Sequence, residues 1–332
     1  MATPAPEAIR DEILRRSPAG LDFHESARIA VGVLRRAVPF DAVAVVAFDP
    51  ATALPVDKWV DPGDAGSLME LDDADFDELG QLAASGVRAA RRSCGFGDEL
   101  RAVCVGGSGA WGGIVLRRGR EAPGFTTRDV DLLSSLVAGY AEVQRTRLER
   151  DSAVEADDRD PGLLLLDDED GIEMADAGAA AWLDELPDHG GPLPFVVTAV
   201  ARRARAVAAG DTDSAATARV RATSGRWVLV SGSVLSSGAH SRTAVTLAQA
   251  RAPQLAEIIA DAHGLTNRER CVTELVAQGL TSAAIAARLH LSTYTVQDHL
   301  KAIFEKFDVS SRGQLVARLF LGEPAPLIQS PP

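Results

Sequence analysis

Three features of the sequence predict a multidomain α+β fold closed by an all-α C-terminal domain. The chain has 332 residues, more than one ordinary core holds, at a prior of about 150 residues per domain. From residue 5 to residue 250, helical patterns are interleaved with short β-rich runs, an α/β or α+β signature. After residue 251 the strand signals stop and amphipathic helical patterns follow one another.

Taken in order, residues 5–16 and 24–38 read as helices. In the second, Ala27, Ile29, Val31, Leu34 and Val38 mix with Arg28, Arg35 and Arg36. FDAVAVVAFDP (40–50) is β-rich and stops at Pro50, so it reads as a buried strand. The acidic, turn-rich stretch from Asp61 is expected to lead into a helix through Arg91. Two strands, 98–105 and 111–118, then flank a Gly/Ser turn. A long helix is predicted from Thr126 to Glu155, with Val130, Leu133, Val137, Tyr140 and Val143 as its apolar stripe. DSAVEADDRDPG (151–162) is a charged, Pro/Gly-containing boundary. Beyond it come a strand GLLLLDDEDG, a segment IEMADAGAAAWLDEL and a helix FVVTAVARRARAVAAG. Strands in ATARVRATSGRWVLVSGSVLSS and SRTAVTLAQA follow, and RAPQLAEIIADAHG reads as a linking helix.

The composition, 46% hydrophobic and 24% charged, is that of a globular protein. No apolar run approaches the roughly 20 residues that span a bilayer, and the N-terminus lacks the apolar region of a signal peptide. Cys94, Cys104 and Cys271 form a sparse, odd set, which points to reduced thiols and a cytoplasmic location. The net charge is −13, yet residues 261–321 carry seven basic against six acidic side chains. The acidity therefore belongs to the upstream part and does not oppose a nucleic-acid contact at the C-terminus.

Four helices are readable in residues 264–320. Thr266 and Glu269 have capping-box spacing, Gly279 suits the end of the first helix, and Thr281 and Ser292 suit the starts of the second and third. Ser311 and Gln314 repeat the capping-box spacing. In STYTVQDHLKAIFEKFDVSSR, Val296, Leu300, Ile303, Phe304 and Phe307 form one apolar stripe. Tyr294, Gln297, Asp298 and Lys301 leave it on the outside. Gln pairs with adenine edges, and Lys with guanine or phosphate.

Leu265-Thr266-x-Arg268-Glu269, Gly279, Ile285-Ala286, Leu289, Ser292-x-x-Thr295-Val296-x-x-His299 and Ser311-Arg312 closely resemble the LuxR/FixJ-type helix-turn-helix domain. Ala284 departs from it, standing where the family often has Glu. The resemblance implies base reading by Gln297 and Lys301, and phosphate contacts by Thr293, Tyr294, Thr295, Lys306 and Arg312. Residues 20–148 resemble a GAF sensor domain in element order, and 158–250 resemble a PAS-type module. The expected layout is a GAF-like domain (1–150), a PAS-like domain (151–251), and a linker helix with the DNA reader (252–332).

A DNA-binding transcription regulator follows as the expected function, with double-stranded DNA, a second copy of the chain, a small-molecule ligand and RNA polymerase as partners. Phe40, Trp59 and Trp111 are the expected walls of a ligand pocket, with the acidic loop 61–78 as cover. The long helix is the expected dimer seam. No membrane, cofactor, metal or catalytic group is expected: the histidines show no paired ligand spacing, and GGSGAWGG lacks the Gly-Lys-Ser/Thr of a phosphate loop. A receiver domain is disfavoured because residues 172–260 contain no Lys, so Asp167, Asp168 and Asp170 read as turn residues. Cys94, Cys104 and Cys271 read as core. Two alternatives are a regulator acting only through dimerisation or protein partners, and a sigma-type initiation factor, which needs a basic, aromatic upstream region.

Overall fold

The computed structural model describes residues 6–16, 21–61, 73–85, 88–94, 97–106, 109–150, 159–187, 191–237 and 240–320. Helices α1 (Pro6–Arg16) and α2 (Phe23–Leu34) come first, followed by the hairpin β1 (Ala42–Phe48) and β2 (Pro55–Asp61). After α3 (Asp73–Ala84) come β3 (Ala89–Cys94), β4 (Gly97–Gly106), β5 (Gly109–Gly119) and α4 (Thr127–Arg150). The strands make one antiparallel sheet of order β2-β1-β5-β4-β3.

Three elements differ from the expectation. The helix predicted through Arg91 stops at Ala84, and Ala89–Cys94 is a strand instead. Its pairing with β4, from Ala89 opposite Ala102 to Cys94 opposite Gly97, outweighs the helical preference of its Ala and Arg residues. Strand β2 was not anticipated, because Asp57, Lys58 and Asp61 break its apolar pattern. Helix α2 ends at Leu34 rather than at residue 38, and the chain turns there to bury Val38. Residues 151–155 of the expected long helix, and most of the expected loop cover, lie outside the described residues.

Alternation along β1 divides the core. Val43 and Val45 face α1, α2 and α4, where they meet Ile13, Val31, Leu133 and Tyr140. Val46 and Phe48 face α3, against Phe76 and Leu79. The stripe of α4 is thus covered within its own chain: Leu133, Val137 and Tyr140 are buried there. Burying such side chains yields about 1.5–3 kcal/mol each inside one chain, so this stripe is not the face of α4 left for a second copy.

On the α3 face lies an ionic cluster that no sequence pattern announced. Glu99 is 0% exposed and accepts from Arg101 Nε at 2.5 Å and Arg117 Nε at 2.7 Å. Both guanidinium groups also reach Asp75 on α3. Each buried charge therefore has a partner of opposite sign, as burial of ions requires. A Cβ at Gly112 of β5 would overlap the Val46 carbonyl oxygen, so the close approach of β1 and β5 needs glycine there.

A second sheet follows, built from β6 (Gly162–Leu166), β7 (Ile172–Ala175), β8 (Thr217–Arg221), β9 (Trp227–Ser237) and β10 (His240–Gln249). Helices α5 (Ala177–Leu183) and α6 (Phe195–Ala209) lie between β7 and β8 in the chain. Its order, β7-β6-β10-β9-β8, repeats that of the first sheet, with the first strand next to the last. Asp167 lies in the turn after β6 and accepts from the amides of Glu169 and Gly171 at 2.9 and 2.7 Å. Val228 and Val230 of β9 pack on Val196, Val197 and Val200 of α6. Trp227 and Leu229, on the opposite face, pack against the C-terminal core.

That core belongs to α7 (Ala252–Ala262), α8 (Asn267–Ala277), α9 (Ser282–Leu289), α10 (Thr293–Phe307) and α11 (Arg312–Phe320). Helix α7 has two apolar faces. Ile258 and Ala262 join the core of α2 and α4, whereas Leu255 and Ile259 join the core of α8–α11.

Among the described residues, no helix is long and apolar enough to cross a membrane.

Candidate nucleic-acid interface

Local chemistry sets each helix of the C-terminal domain. At α8 the Thr266 side chain accepts from the Glu269 amide at 3.3 Å, and the Glu269 carboxylate accepts from the Thr266 amide at 2.7 Å. Thr281 caps α9 through the Ala284 amide, and Ser292 caps α10 through the Thr295 amide at 3.0 Å. Before α11 the box is split: Ser311 accepts from the Gln314 amide, while Gln314 returns to the Ser310 amide. Gly279 closes the turn after α8 at φ +81°, a conformation glycine adopts without strain.

Helix α10 then turns one face inward. Val296, Leu300, Ile303 and Phe307 are buried, with Phe304 half-buried beside them. Thr293, Gln297 and Lys301 are exposed, and Tyr294 is 74% exposed. Thr295 is half-buried, with its hydroxyl 2.8 Å from Ser292 Oγ. Thr293, Tyr294, Thr295 and Gln297 lie in the N-terminal half of the helix, whose first amides and dipole favour anions, and Lys301 lies just past its midpoint.

Lys306 and Arg312 are both engaged within the domain. Lys306 Nζ donates to Glu269 Oε2 at 2.6 Å and to the Gly264 carbonyl at 2.9 Å. Burial pushes the Glu269 carboxyl up, but Lys306 and the Thr266 groups outweigh it and hold the carboxyl below its ordinary range. Arg312 donates to the Leu280 carbonyl at 2.6 Å and to Ser282 Oγ at 2.9 Å, fastening the α8–α9 turn. Arg268 likewise donates to the Leu289 carbonyl at 2.8 Å. Several charged residues of the motif therefore hold helices together, because their partners lie within the domain. Cys271, expected in the core, is instead exposed on α8. Cys104 is buried, which pushes its thiol up from the ordinary value, and the Cys94 side chain lies outside the described residues.

Of the three expected pocket aromatics, Trp111 lines a cavity whose described walls do not include Phe40 or Trp59. Phe40 is buried, with the Arg35 guanidinium 4.5 Å above its ring, and Trp59 packs half-buried on the first core. The cavity, of about 600 Å³, lies between the two sheets and α7 rather than inside either sheet unit. Beside Trp111 its walls include His24, Asp57, Gln144, Arg219 and Trp227. No sequence pattern singled out that group, because its members come from segments far apart in the chain.

Comparison with known proteins agrees with the geometry of α8–α11. The family model "Bacterial regulatory proteins, luxR family" matches residues 263–319. The spore germination protein GerE of Bacillus subtilis is 42% identical over 60 residues, which cover 18% of this chain and 81% of GerE. The chain belongs to the luxR family of bacterial regulatory proteins, and its C-terminal domain is the family's helix-turn-helix DNA-binding domain. The transcriptional regulatory protein DesR of B. subtilis is 38% identical over 68 residues, 20% of this chain and 34% of DesR. UhpA of Escherichia coli is 47% identical over 58 residues, 18% of this chain and 30% of UhpA. The chain thus matches about a third of these two regulators' length. Among solved structures, a GAF domain/HD domain protein from Geobacter sulfurreducens aligns with 40% of this chain and 97% of its own, at 18% identity and TM-score 0.32. SdiA of E. coli aligns over 94% of this chain and 97% of its own, at 12% identity and TM-score 0.26. Likenesses this loose carry no argument.

Proposed function

We propose that the protein is a sequence-specific transcription regulator that binds double-stranded DNA through α10, under the control of two N-terminal sensor units. The observation that carries this reading is the face of α10. Its apolar stripe is buried, while Tyr294, Gln297 and Lys301 stand exposed near a capped helix start. A helix of this kind enters the major groove by its N-terminal half. Gln297 and Lys301 read bases, and Thr293, Tyr294 and Thr295 contact phosphate. Residues 1–150 serve as a GAF-like unit, 151–251 as a PAS-like unit, and 252–332 as linker helix and reader. The shared strand order of the two sheets supports sister modules of one plan.

One reader carries little net charge, so one copy holds DNA weakly and two copies on paired half-sites supply the rest. Copies meet along α4 by a face other than its covered stripe. Partners in the cytoplasm include DNA and RNA polymerase. A ligand in the N-terminal part acts by favouring one arrangement of the readers over another.

The test is binding to upstream DNA by mobility shift, with the unaltered chain and Gln297→Ala. The expected outcome is relaxed preference at one operator position, by about 1–3 kcal/mol. An equal loss on every sequence would make Gln297 a positioning residue. Binding seen only with core polymerase present would favour the initiation-factor reading.

A further inference from the structure

We infer that the cavity between the two sheets and α7 binds an uncharged, flat, ring-containing small molecule that bears a hydrogen-bond-accepting oxygen. This rests on the sensor half of the proposed function and deepens it by placing the site between the units rather than within one.

The size fits: a cavity of about 600 Å³ lies in the range of small-molecule sites, about 300–1,000 Å³. Its walls favour a flat apolar body, since Phe23, Phe48, Trp111 and Trp227 line it together with Val56 and Ile258. Aromatic side chains hold such a body by offset or edge-to-face stacking.

The charged side chains on the walls are already engaged, some of them in ion pairs. His24 Nε2 lies 3.1 Å from Asp57 Oδ1, and Arg219 lies 3.0 Å from Asp49, which is itself buried. Arg221 Nε donates to the Gly225 carbonyl at 3.1 Å, and the Asp22 side chain accepts from the Glu25 amide at 2.7 Å to cap α2. A ligand with a formal charge would meet side chains that already have partners and would lose its hydration there.

One polar group is left over. Gln144 reaches the wall from α4, and its amide nitrogen is buried with no hydrogen-bond partner among the described residues. A buried donor without an acceptor is costly, and a ligand oxygen placed against it supplies the missing bond.

The position gives binding a route to the reader. Ile258 belongs to α7, whose other face packs on the DNA-binding domain. Trp227 packs against the same domain, and its carbonyl accepts from the Ala250 amide at 2.8 Å, just before α7. A molecule that fills this space touches both units and the helix that joins them to the reader.

The experiment titrates the full chain with Nile red, which is neutral, flat and carries a carbonyl oxygen, and follows its fluorescence. Saturable binding of one dye per chain is expected. Two variants fill the cavity from opposite walls, Ala47→Phe on β1 and Thr223→Trp on the exposed β8–β9 turn. Each is expected to weaken binding at least tenfold without lowering the melting temperature. Gln144→Leu is expected to weaken Nile red several-fold and to leave pyrene, which has no acceptor, unchanged. The competing place for an apolar dye is the exposed outer face of the second sheet, around Ile172 and Met174. The double variant Ile172→Ser, Met174→Ser is expected to bind as the unaltered chain does. If a filling variant melts early, hydrogen exchange of the unaltered chain decides: added dye should protect residues 220–227 and 258. Undiminished binding in stable filling variants, loss of binding in the double variant, or no added protection overturns the inference. DNA binding measured on the same samples separates the two claims. An empty cavity in a DNA-binding chain refutes this site alone, and a filled cavity in a chain that binds no DNA refutes the regulator.

Discussion

Lys301 and Lys306 stand little more than one helical turn apart on α10, yet their surroundings give them different work. Lys301 is exposed, whereas Lys306 is engaged with Glu269 and the Gly264 carbonyl. Lys301→Ala is expected to relax the preference at one operator position by about 1–3 kcal/mol and, with its charge gone from the groove, to lower the salt slope by about 1. Lys306→Ala is expected to leave that slope unchanged and to cost about 1–3 kcal/mol of stability, as for loss of a hydrogen bond to a charged group. Denaturant melts and binding titrations over a salt series distinguish the two. The pH dependence has a definite sign. Glu269 is held below its ordinary value, so its contribution is fully present above a pH of about 4.3 and is lost as pH falls through the folded value. In Lys306→Ala that acid-side loss should shrink. His24 runs the opposite way: Asp57 raises it, so its contribution is present below a pH of about 6.5 and fades as pH rises through the raised value.

At the scale of elements, the helix ends of the DNA-binding domain are where single changes tell most. Thr266→Ala removes one half of the capping box at α8 and is expected to cost about 1 kcal/mol. Two other helix ends hold non-glycine residues in the left-handed region, His290 at φ +54° and Asp308 at φ +50°. His290 ends α9, immediately before the turn into α10. His290→Gly should relieve up to about 1 kcal/mol of that strain, part of it offset by the greater freedom glycine gives the unfolded chain. The expected result is a higher denaturant midpoint with an unchanged slope. A lower midpoint would mean that the imidazole makes contacts worth more than the strain.

Across the whole molecule, Arg219 joins three parts. From β8 its amide and guanidinium meet the Asp49 carboxylate, at 2.8 and 3.0 Å, and its Nε donates to the Gln254 carbonyl of α7 at 2.6 Å. Burial pushes Asp49 up from its ordinary value, and Arg219 draws it partly back. Arg219→Met leaves that carboxylate buried without its cation, a change that costs about 3–5 kcal/mol for a buried pair. Because the pair spans the two sheet units, calorimetry of the variant should resolve two unfolding transitions that lie closer together in the unaltered chain. A single transition, merely lowered, would show that the apolar contacts between units suffice to couple them.

The sequence by itself determined the helices of the DNA reader. Thr266, Thr281 and Ser292 cap their helices, and Val296, Leu300, Ile303 and Phe307 are buried as their spacing predicts. Caps and helical periods are relations between residues three to four apart, so they are legible without a fold. The outward face of α10, with Gln297 and Lys301, follows from the same period. Only the tertiary structure decided which cations stay free. Lys306 and Arg312 look available in sequence, but their acceptors at Gly264, Glu269, Leu280 and Ser282 lie 30 or more residues away. It also decided that Ala89–Cys94 is a strand, since the β4 ladder beside it outweighs local preference. The cavity is the extreme case: His24, Trp111, Gln144 and Trp227 share a wall because two sheets and α7 pack together. Long-range packing places those side chains, and no periodicity along the chain records it.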